Sequence, residues 1–313
     1  MANPKNVTRR RFISTMSGGS LAAGIASAVP ALGNITHISP VFEGRKPEII
    51  DTNVNLFSWP FRRMKYWKTR LLVSKLRQHR IAHAWAGSFE ALFSKSIDEV
   101  NARLAEECRV NGEGVLIPFG TVNPAWPDWE EDLRRCHEVY RMPGIRLYPT
   151  YQTFDLNHHE FARLIGQASD RGMIVQIVGD MEDSRVHHPI VLTREISFDP
   201  LPDIMKRNQK AKVQLLNWNE RVSGELLTKL VSETNIVLDI AWLESTGALG
   251  RMIEGNPWSG IQTPVPVERF LFGSHAPYFP VEAGIIKLFE SPLTFEQMKA
   301  VMNVNARRFM KHV

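Results

Sequence analysis

The sequence predicts an α/β protein, a parallel (β/α)8 barrel of residues 48–313. Two observations support this prediction. After residue 48, short apolar, β-branched segments alternate with amphipathic ones, and the apolar segments start 23–39 residues apart. There are eight of them, at residues 49–57, 81–89, 115–123, 144–151, 173–180, 212–219, 235–243 and 270–277. A doubly wound open sheet is the alternative, but no glycine-rich phosphate loop follows the first strand.

Helices are predicted between these strands. Residues 67–80, 96–110 and 128–141 show apolar side chains at three-and-four spacing. Asp128 is a capping residue before the third of these helices, and Gly172 follows the end of a helix that starts after Asn157. Residues 181–200 are long for a strand-to-helix loop, so we expect them to cover the face where the strands end.

The first 31 residues have the layout of an export signal. Their four cations, Lys5 and Arg9 to Arg11, face no acid and precede a mildly apolar run rich in Gly, Ala and Ser, with a small-residue cleavage site at Ala26–Ala28. This layout is typical of a twin-arginine (Tat) signal and predicts a periplasmic or extracytoplasmic protein. A disordered basic tail is the alternative. Residues 32–47 are predicted to be a lead-in to the barrel.

Charge and composition exclude two classes of protein. The net charge is +5, of which the signal-like segment carries +4, so 5 − 4 = +1 remains for the rest of the chain. No basic stripe is left that would indicate a nucleic-acid binder. No apolar run reaches the roughly 18 residues of a membrane span. The two cysteines, Cys108 and Cys136, either pair after export or stay as free buried thiols.

Five motifs occur in an order that resembles the amidohydrolase superfamily, in its amidohydrolase-related, metal-dependent hydrolase branch. They are IIDTNVNL, GIRLYPTYQTFDLNHHEF, AKVQLLNWN, NIVLDIAWLE, and RFLFGSHAP followed by MNVNARRFM. The resemblance covers roughly residues 48–311 and implies the TIM-barrel fold. In that family, histidines at the ends of the first, fifth and sixth strands and an aspartate after the eighth hold one or two divalent metals, which activate water.

At the family's metal positions this sequence has other residues. Asn53 and Asn55 replace the first-strand histidines, Asn217 ends the sixth strand, and His275 replaces the aspartate. The fifth strand offers Gln176 but no histidine. Neutral amides are weak ligands for zinc, so no metal and no cofactor are expected, although a weakly bound divalent metal stays open.

Two catalytic residues are predicted, His275 as a proton shuttle that titrates near neutral pH and Tyr148 as a proton donor or oxyanion stabiliser. For His275 the alternative is a hydrogen-bonded, neutral histidine. Arg146 is predicted to clamp a substrate carboxylate, with a buried structural pairing to an acid such as Asp180 as the alternative. The predicted substrate-binding residues also include Asn53, Asn55, Asn217, Gln176 and Trp59. For the asparagines the alternative is to plug an inactive site, and for Trp59 it is core packing.

The predicted function is that of an enzyme with a small-molecule ligand and no nucleic-acid partner. It is a hydrolase or lyase acting on a small carboxylated or polyhydroxylated compound through a non-standard, metal-independent site. The alternative is a non-catalytic protein that keeps the barrel to bind a ligand or a partner. A fold alone does not decide between the two.

Overall fold

The computed structural model describes residues 48–255 and 263–311. The predicted signal of residues 1–31 and the lead-in of residues 32–47 lie outside the described residues, so both stay predictions. No helix within the described ranges has the length and apolar character needed to cross a membrane.

Eight parallel strands alternate with helices, as the sequence predicts. The strands are β1 Ile49–Leu56, β2 Ile81–Ser88, β3 Leu116–Pro118, β4 Gly144–Leu147, β5 Ile174–Val178, β6 Lys212–Leu216, β7 Val237–Asp239 and β8 Phe270–Leu271. Their order is β1-β2-β3 in one sheet and β4-β5-β6-β7-β8 in another. Single parallel bridges, Gly120 with Ile145 and Val54 with Ala276, connect the two sheets at both edges. The eight strands thus follow the order of a (β/α)8 barrel, and the predicted fold class is confirmed.

The helices follow the strands around this arrangement. They are α1 Thr69–Gln78, α2 Ile97–Asn111, α3 Trp129–Arg134, α4 Pro149–Gln152, α5 His159–Asp170, α6 Leu201–Arg207, α7 Gly224–Glu233, α8 Ala248–Glu254, α9 Val281–Glu290, α10 Phe295–Lys299 and α11 Asn305–Met310. In α1, α2 and α5 the residues at three-and-four spacing are the buried ones, which pack the helices on the strands.

All eight strands are shorter than predicted, and β3, β7 and β8 are shortened most. β3 ends at Pro118, whose nitrogen has no hydrogen to donate to a ladder, and β7 and β8 end after three and two residues. The apolar residues that follow these strands are still buried, because they lie at the barrel mouth rather than in a ladder. Cys108 and Cys136 are buried free thiols, so the disulfide alternative is not formed in this structure.

Candidate functional site

A cluster of five polar side chains lies where β1, β6, β7 and β8 end. This polar cluster consists of Asn53, Asn55, Asn217, Asp239 and His275. Asn53 Nδ2 donates to Asn217 Oδ1 at 2.9 Å and to Asp239 Oδ2 at 2.8 Å. The backbone N–H of Asn217 donates to Asp239 Oδ1 at 3.0 Å. The structure therefore brings the three asparagines and the histidine predicted from sequence together, and Asp239 accepts from two of them, Asn53 and Asn217.

His275 is held in one tautomer by its neighbours. Its Nε2 lies 2.9 Å from the carbonyl oxygen of Met181, which can only accept, so Nε2 carries the hydrogen. Nδ1 is then an acceptor, and the Nδ2 groups of Asn55 and Asn217 lie 3.5 and 3.4 Å from it. Burial, with smaller effects of the cations Arg146 and Arg62, lowers the pKa of His275 to about 4. The expectation that His275 titrates near neutral pH is therefore wrong, and a proton-shuttle role requires the neutral imidazole to act as the base.

Arg146 lies inside the barrel with all five N–H groups bonded. Its Nε donates to Gln176 Oε1 at 2.8 Å. Nη1 donates to Asn55 Oδ1 at 2.9 Å and to the carbonyl oxygen of Val54 at 2.7 Å. Nη2 donates to the carbonyl oxygens of Thr52 and Trp85, at 3.3 and 2.9 Å. Arg146 has no N–H group left to bind a substrate carboxylate. The prediction that it clamps a substrate is therefore wrong, and its role in this structure is structural.

The alternative partner of Arg146 is also excluded. The Asp180 carboxylate forms a bidentate pair with Arg221, with both N–O distances at 2.7 Å. Arg146 is instead bound by neutral acceptors, and the nearest carboxylates, Asp239 and Asp51, act on it only through space.

Gln176 and Tyr148 are likewise engaged by the protein. Gln176 Nε2 donates to the carbonyl oxygen of Thr52 and to Gln214 Oε1, both at 2.8 Å, and its Oε1 accepts from Arg146. The substrate-binding role predicted for Gln176 is thus not supported by its contacts. The Tyr148 hydroxyl donates to the carbonyl oxygen of Ser88 at 3.4 Å, and burial raises its pKa above the usual value of tyrosine. Tyr148 is fully buried and would have to lose this environment to reach a substrate.

Two buried carboxyls have pKa values raised towards neutrality. Burial raises the pKa of Asp51 to about 7 and that of Asp239 to about 6. Asp51 Oδ1 accepts from the backbone N–H groups of Asn53 and Ser274, at 3.1 and 2.9 Å, whereas Oδ2 has no partner within the described ranges. Sequence reasoning gave these carboxyls no catalytic role, although Asp51 lies on β1 with Asn53 and Asn55, and Asp239 is the last residue of β7. At pH 7 Asp51 is therefore about half protonated, and Asp239 is protonated in a minor fraction of the molecules.

A layer of aromatic rings covers the polar cluster. This aromatic cover consists of Trp59, Phe89, Tyr151, Tyr278 and Phe279. The Trp59 ring lies 5.4 Å from Phe89, 6.4 Å from Tyr151 and 5.6 Å from Tyr278, in edge-to-face arrangements. The rings of Tyr278 and Phe279 lie 5.1 and 5.2 Å from that of His275.

The site is closed to solvent in this structure. The predicted site residues, including Trp59 and His275, are 0–2% exposed. The start of the 181–200 loop contributes to this closure, because Met181 caps His275 and Glu182 Oε2 accepts from the Tyr278 hydroxyl at 2.7 Å. A ligand therefore reaches the polar cluster only if the aromatic cover or this loop moves.

Comparisons with known proteins agree with the fold. No family model matches the sequence, and neither does any curated protein. Among solved structures, the fold is similar to a "putative amidohydrolase" from Staphylococcus aureus, at a TM-score of 0.60 and 11% identity over 84% of this chain and 99% of that one. It is also similar to 2,6-dihydroxybenzoate decarboxylase from Rhizobium, at 0.60 and 13% over 85% and 99%. A third is 5-carboxyvanillate decarboxylase from Novosphingobium aromaticivorans with bound manganese, at 0.58 and 12% over 85% and 96%.

These likenesses confirm the resemblance in fold to amidohydrolase-type barrels that the sequence motifs predict. At identities of 11–13% they establish the fold and not the activity.

The donor set does not fit a tightly bound metal such as that manganese. Within residues 48–255 and 263–311, no three His, Cys, Asp or Glu side chains are grouped to hold an ion. Asn55 Oδ1 already accepts from the Arg146 cation, and His275 Nδ1 faces two N–H donors. Manganese favours carboxylate and water oxygens, and here a fixed guanidinium lies beside the oxygen that would have to bind it.

Proposed function

We propose that the protein is an enzyme, a lyase or hydrolase that acts on a small carboxylated compound, most readily a hydroxylated aromatic acid. The observation that carries this proposal is the polar cluster at the carboxyl ends of the strands, beneath an aromatic cover. In (β/α)8 barrels this face is where enzymes place their chemistry. The decarboxylases of similar fold act on 2,6-dihydroxybenzoate and 5-carboxyvanillate, and the ring-lined cover of this site suits such flat molecules.

The chemistry of the site is proton transfer without a metal. When an aromatic acid loses CO2, the ring carbon that held the carboxylate must gain a proton. Asp239 is the donor that the geometry favours, because it touches Asn53 and Asn217 and its pKa, raised to about 6, leaves it protonated in a fraction of the molecules near neutral pH. Neutral His275 accepts hydrogen bonds through Nδ1, and the asparagine amides orient polar substituents of the ligand without adding charge.

Turnover of aromatic acids tests this function. CO2 release would be measured from 2,6-dihydroxybenzoate and 5-carboxyvanillate, with and without a strong chelator. We expect turnover that survives the chelator and falls about 100-fold or more in Asp239→Asn, the usual contribution of general acid catalysis. Asp170→Asn, at an exposed aspartate, is the matched control. Loss of turnover on chelation would overturn the metal-independent mechanism. Absence of turnover with every carboxylated substrate tested would overturn the proposal that the protein is an enzyme.

Export by the Tat route is a separate proposal that rests on residues 1–31. The paired arginines before a weakly apolar run support it. We expect the mature protein in the periplasmic fraction, with an N-terminus near residues 29–32. Replacement of Arg10 and Arg11 by lysine should keep the full-length chain in the cytoplasm, and unchanged export of that variant would contradict the proposal.

A second candidate function is ligand binding without catalysis. The saturated hydrogen bonding of Arg146 and Gln176 and the burial of the site favour it, since these features stabilise a fixed interior rather than an open pocket. Binding of an aromatic acid that is never converted, under conditions that span pH 5 to 8, would support this candidate.

A further inference from the structure

Three polar atoms of the barrel mouth are buried without a hydrogen-bond partner. They are Nε1 of Trp59, the hydroxyl of Tyr151 and Oε1 of Glu182, none of which is bonded within the part of the chain that the structure describes. The three residues are 2%, 8% and 5% exposed. Buried polar groups are almost always bonded, so three unsatisfied atoms in one region indicate a missing partner.

These three residues belong to one structural unit. Each comes from a different loop at the carboxyl ends of the strands: Trp59 follows β1, Tyr151 lies in α4 after β4, and Glu182 follows β5. Tyr278, which follows β8, connects them. Its ring lies 5.6 Å from that of Trp59, and its hydroxyl donates to Glu182 Oε2 at 2.7 Å. The negative charge of Glu182 also acts on the Tyr151 hydroxyl.

The donor and acceptor roles of the three atoms are complementary. The indole N–H of Trp59 can only donate, and the Glu182 carboxylate oxygen can only accept. The Tyr151 hydroxyl does either. Burial raises the pKa of Tyr151 and of Tyr278, so both keep their protons, and the bond from Tyr278 holds the Glu182 carboxylate with Oε1 left free.

We propose that Trp59, Tyr151 and Glu182 form a hydroxyl subsite, which binds a ring-borne hydroxyl group of the ligand. A hydroxyl oxygen accepts from Trp59 Nε1 while its hydrogen is donated to Glu182 Oε1, and the surrounding rings contact the flat face of the ligand. A simple anion would be repelled by the Glu182 carboxylate, and a simple cation would be repelled by the indole N–H of Trp59. Neither kind of ion therefore satisfies all three groups. The subsite deepens the proposed function, since its hydroxyl belongs to the ligand whose reacting end faces the polar cluster.

The subsite also connects ligand binding to the closed state of the mouth. Glu182 follows Met181, whose carbonyl oxygen caps His275 Nε2, and Tyr278 packs on the His275 ring. A ligand hydroxyl bound to Glu182 therefore contacts the same segment that covers His275. The hydroxyl subsite would hold this segment in place over a bound ligand.

The test is binding of small hydroxylated probes, followed through the indole N–H signal of Trp59. The protein would be labelled with 15N-tryptophan, and Trp59→Phe would assign the signal. Phenol and glucose are the two probes, and toluene, which has the shape of phenol without its hydroxyl, is the matched control. We expect a saturable shift with phenol or with glucose and a much smaller shift with toluene. Which of the two probes binds distinguishes an aromatic ligand from a sugar.

Two variants test the residues of the subsite. Glu182→Gln places an amide N–H where an acceptor is needed, so probe affinity should fall about 10-fold or more, the usual loss for a hydrogen bond to a charged group. Tyr151→Phe should lower it about 3- to 10-fold. Tyr66→Phe, outside the aromatic cover, should leave it unchanged.

Three results would overturn the hydroxyl subsite: no shift with either hydroxylated probe, a shift with toluene as large as that with the hydroxylated probe that binds, or an affinity that Glu182→Gln does not change. Since binding is read without turnover, an inactive protein leaves this test intact. Turnover of an aromatic acid by a protein that fails it would overturn the subsite alone.

Discussion

Asp51 is expected to make the stability of the protein fall as the pH rises. In the folded state burial raises its pKa to about 7 from the model-peptide value of 3.8, so the folded protein keeps this proton after the unfolded chain has lost it. The stabilisation is complete below pH 3.8 and is lost as the pH rises through 7. Between pH 5 and pH 7, Asp51 should lower the free energy of unfolding by about 2.3 kcal/mol, because the slope of about 1.4 kcal/mol per pH unit falls to half of that near pH 7.

Urea unfolding of Asp51→Asn and of the parent protein at pH 5, 6 and 7 measures this contribution. Asparagine keeps an oxygen that accepts from the N–H groups of Asn53 and Ser274, so the substitution removes the ionisation and keeps those bonds. The free energy of unfolding of the variant, relative to the parent, should rise by about 2.3 kcal/mol from pH 5 to pH 7. Asp170→Asn, at an exposed position, should show no such rise. Parallel curves for Asp51→Asn and the parent would refute the reasoning.

Three further predictions follow from the site. Burial lowers the pKa of His275 to about 4, so the free energy of unfolding falls as the pH drops from 6.5 towards 4. In urea unfolding from pH 6.5 to pH 4.5, the free energy of unfolding of His275→Gln should fall by about 2.5 kcal/mol less than that of the parent. Arg146→Lys should cost about 3–5 kcal/mol by the same assay, because it leaves buried acceptors unpaired, whereas Arg109→Lys at an exposed pair should cost under about 1 kcal/mol. Gly87→Ala puts a Cβ 2.6 Å from the Tyr148 hydroxyl and should lower the thermal midpoint, whereas Gly166→Ala, whose nearest contact is 3.3 Å away, should not. A pH-independent His275→Gln difference, a tolerated Arg146→Lys or an unchanged Gly87→Ala midpoint would each contradict its prediction.

The fold was predictable because its signals are local. An apolar strand followed by an amphipathic helix is encoded within about 30 residues, and repeating that unit eight times leaves few arrangements other than a barrel. The meeting of Asn53, Asn217 and His275 follows from the same logic, since the carboxyl ends of parallel strands lie on one face. The short lengths of β7 and β8 were not predictable. A buried apolar segment has the same sequence pattern whether it forms hydrogen bonds in a sheet or follows a strand at the barrel mouth.

The roles of the site residues depend on long-range contacts that the local sequence does not reveal. Arg146 and Gln176 lie on neighbouring strands at the same register, and their mutual bond uses groups that each was predicted to offer to a ligand. A carbonyl oxygen from another loop, that of Met181, decides which nitrogen of His275 holds the hydrogen. These partners are 30 and 94 residues apart in the sequence, so no local sequence pattern predicts that they are in contact.

Arg146 places a buried positive charge beside the first strand. The family resemblance implies a divalent cation near the first-strand positions, and here a guanidinium lies 2.9 Å from Asn55 Oδ1. A histidine at position 55 would face that cation and could accept from it only through a neutral nitrogen, whereas an amide presents a strong oxygen acceptor to the guanidinium and an N–H to His275. The amide at position 55 and the buried arginine are thus electrostatically matched to each other. Histidines placed at positions 53 and 55 would not create a metal centre while Arg146 remains, because the ion and the guanidinium would repel each other in a buried space.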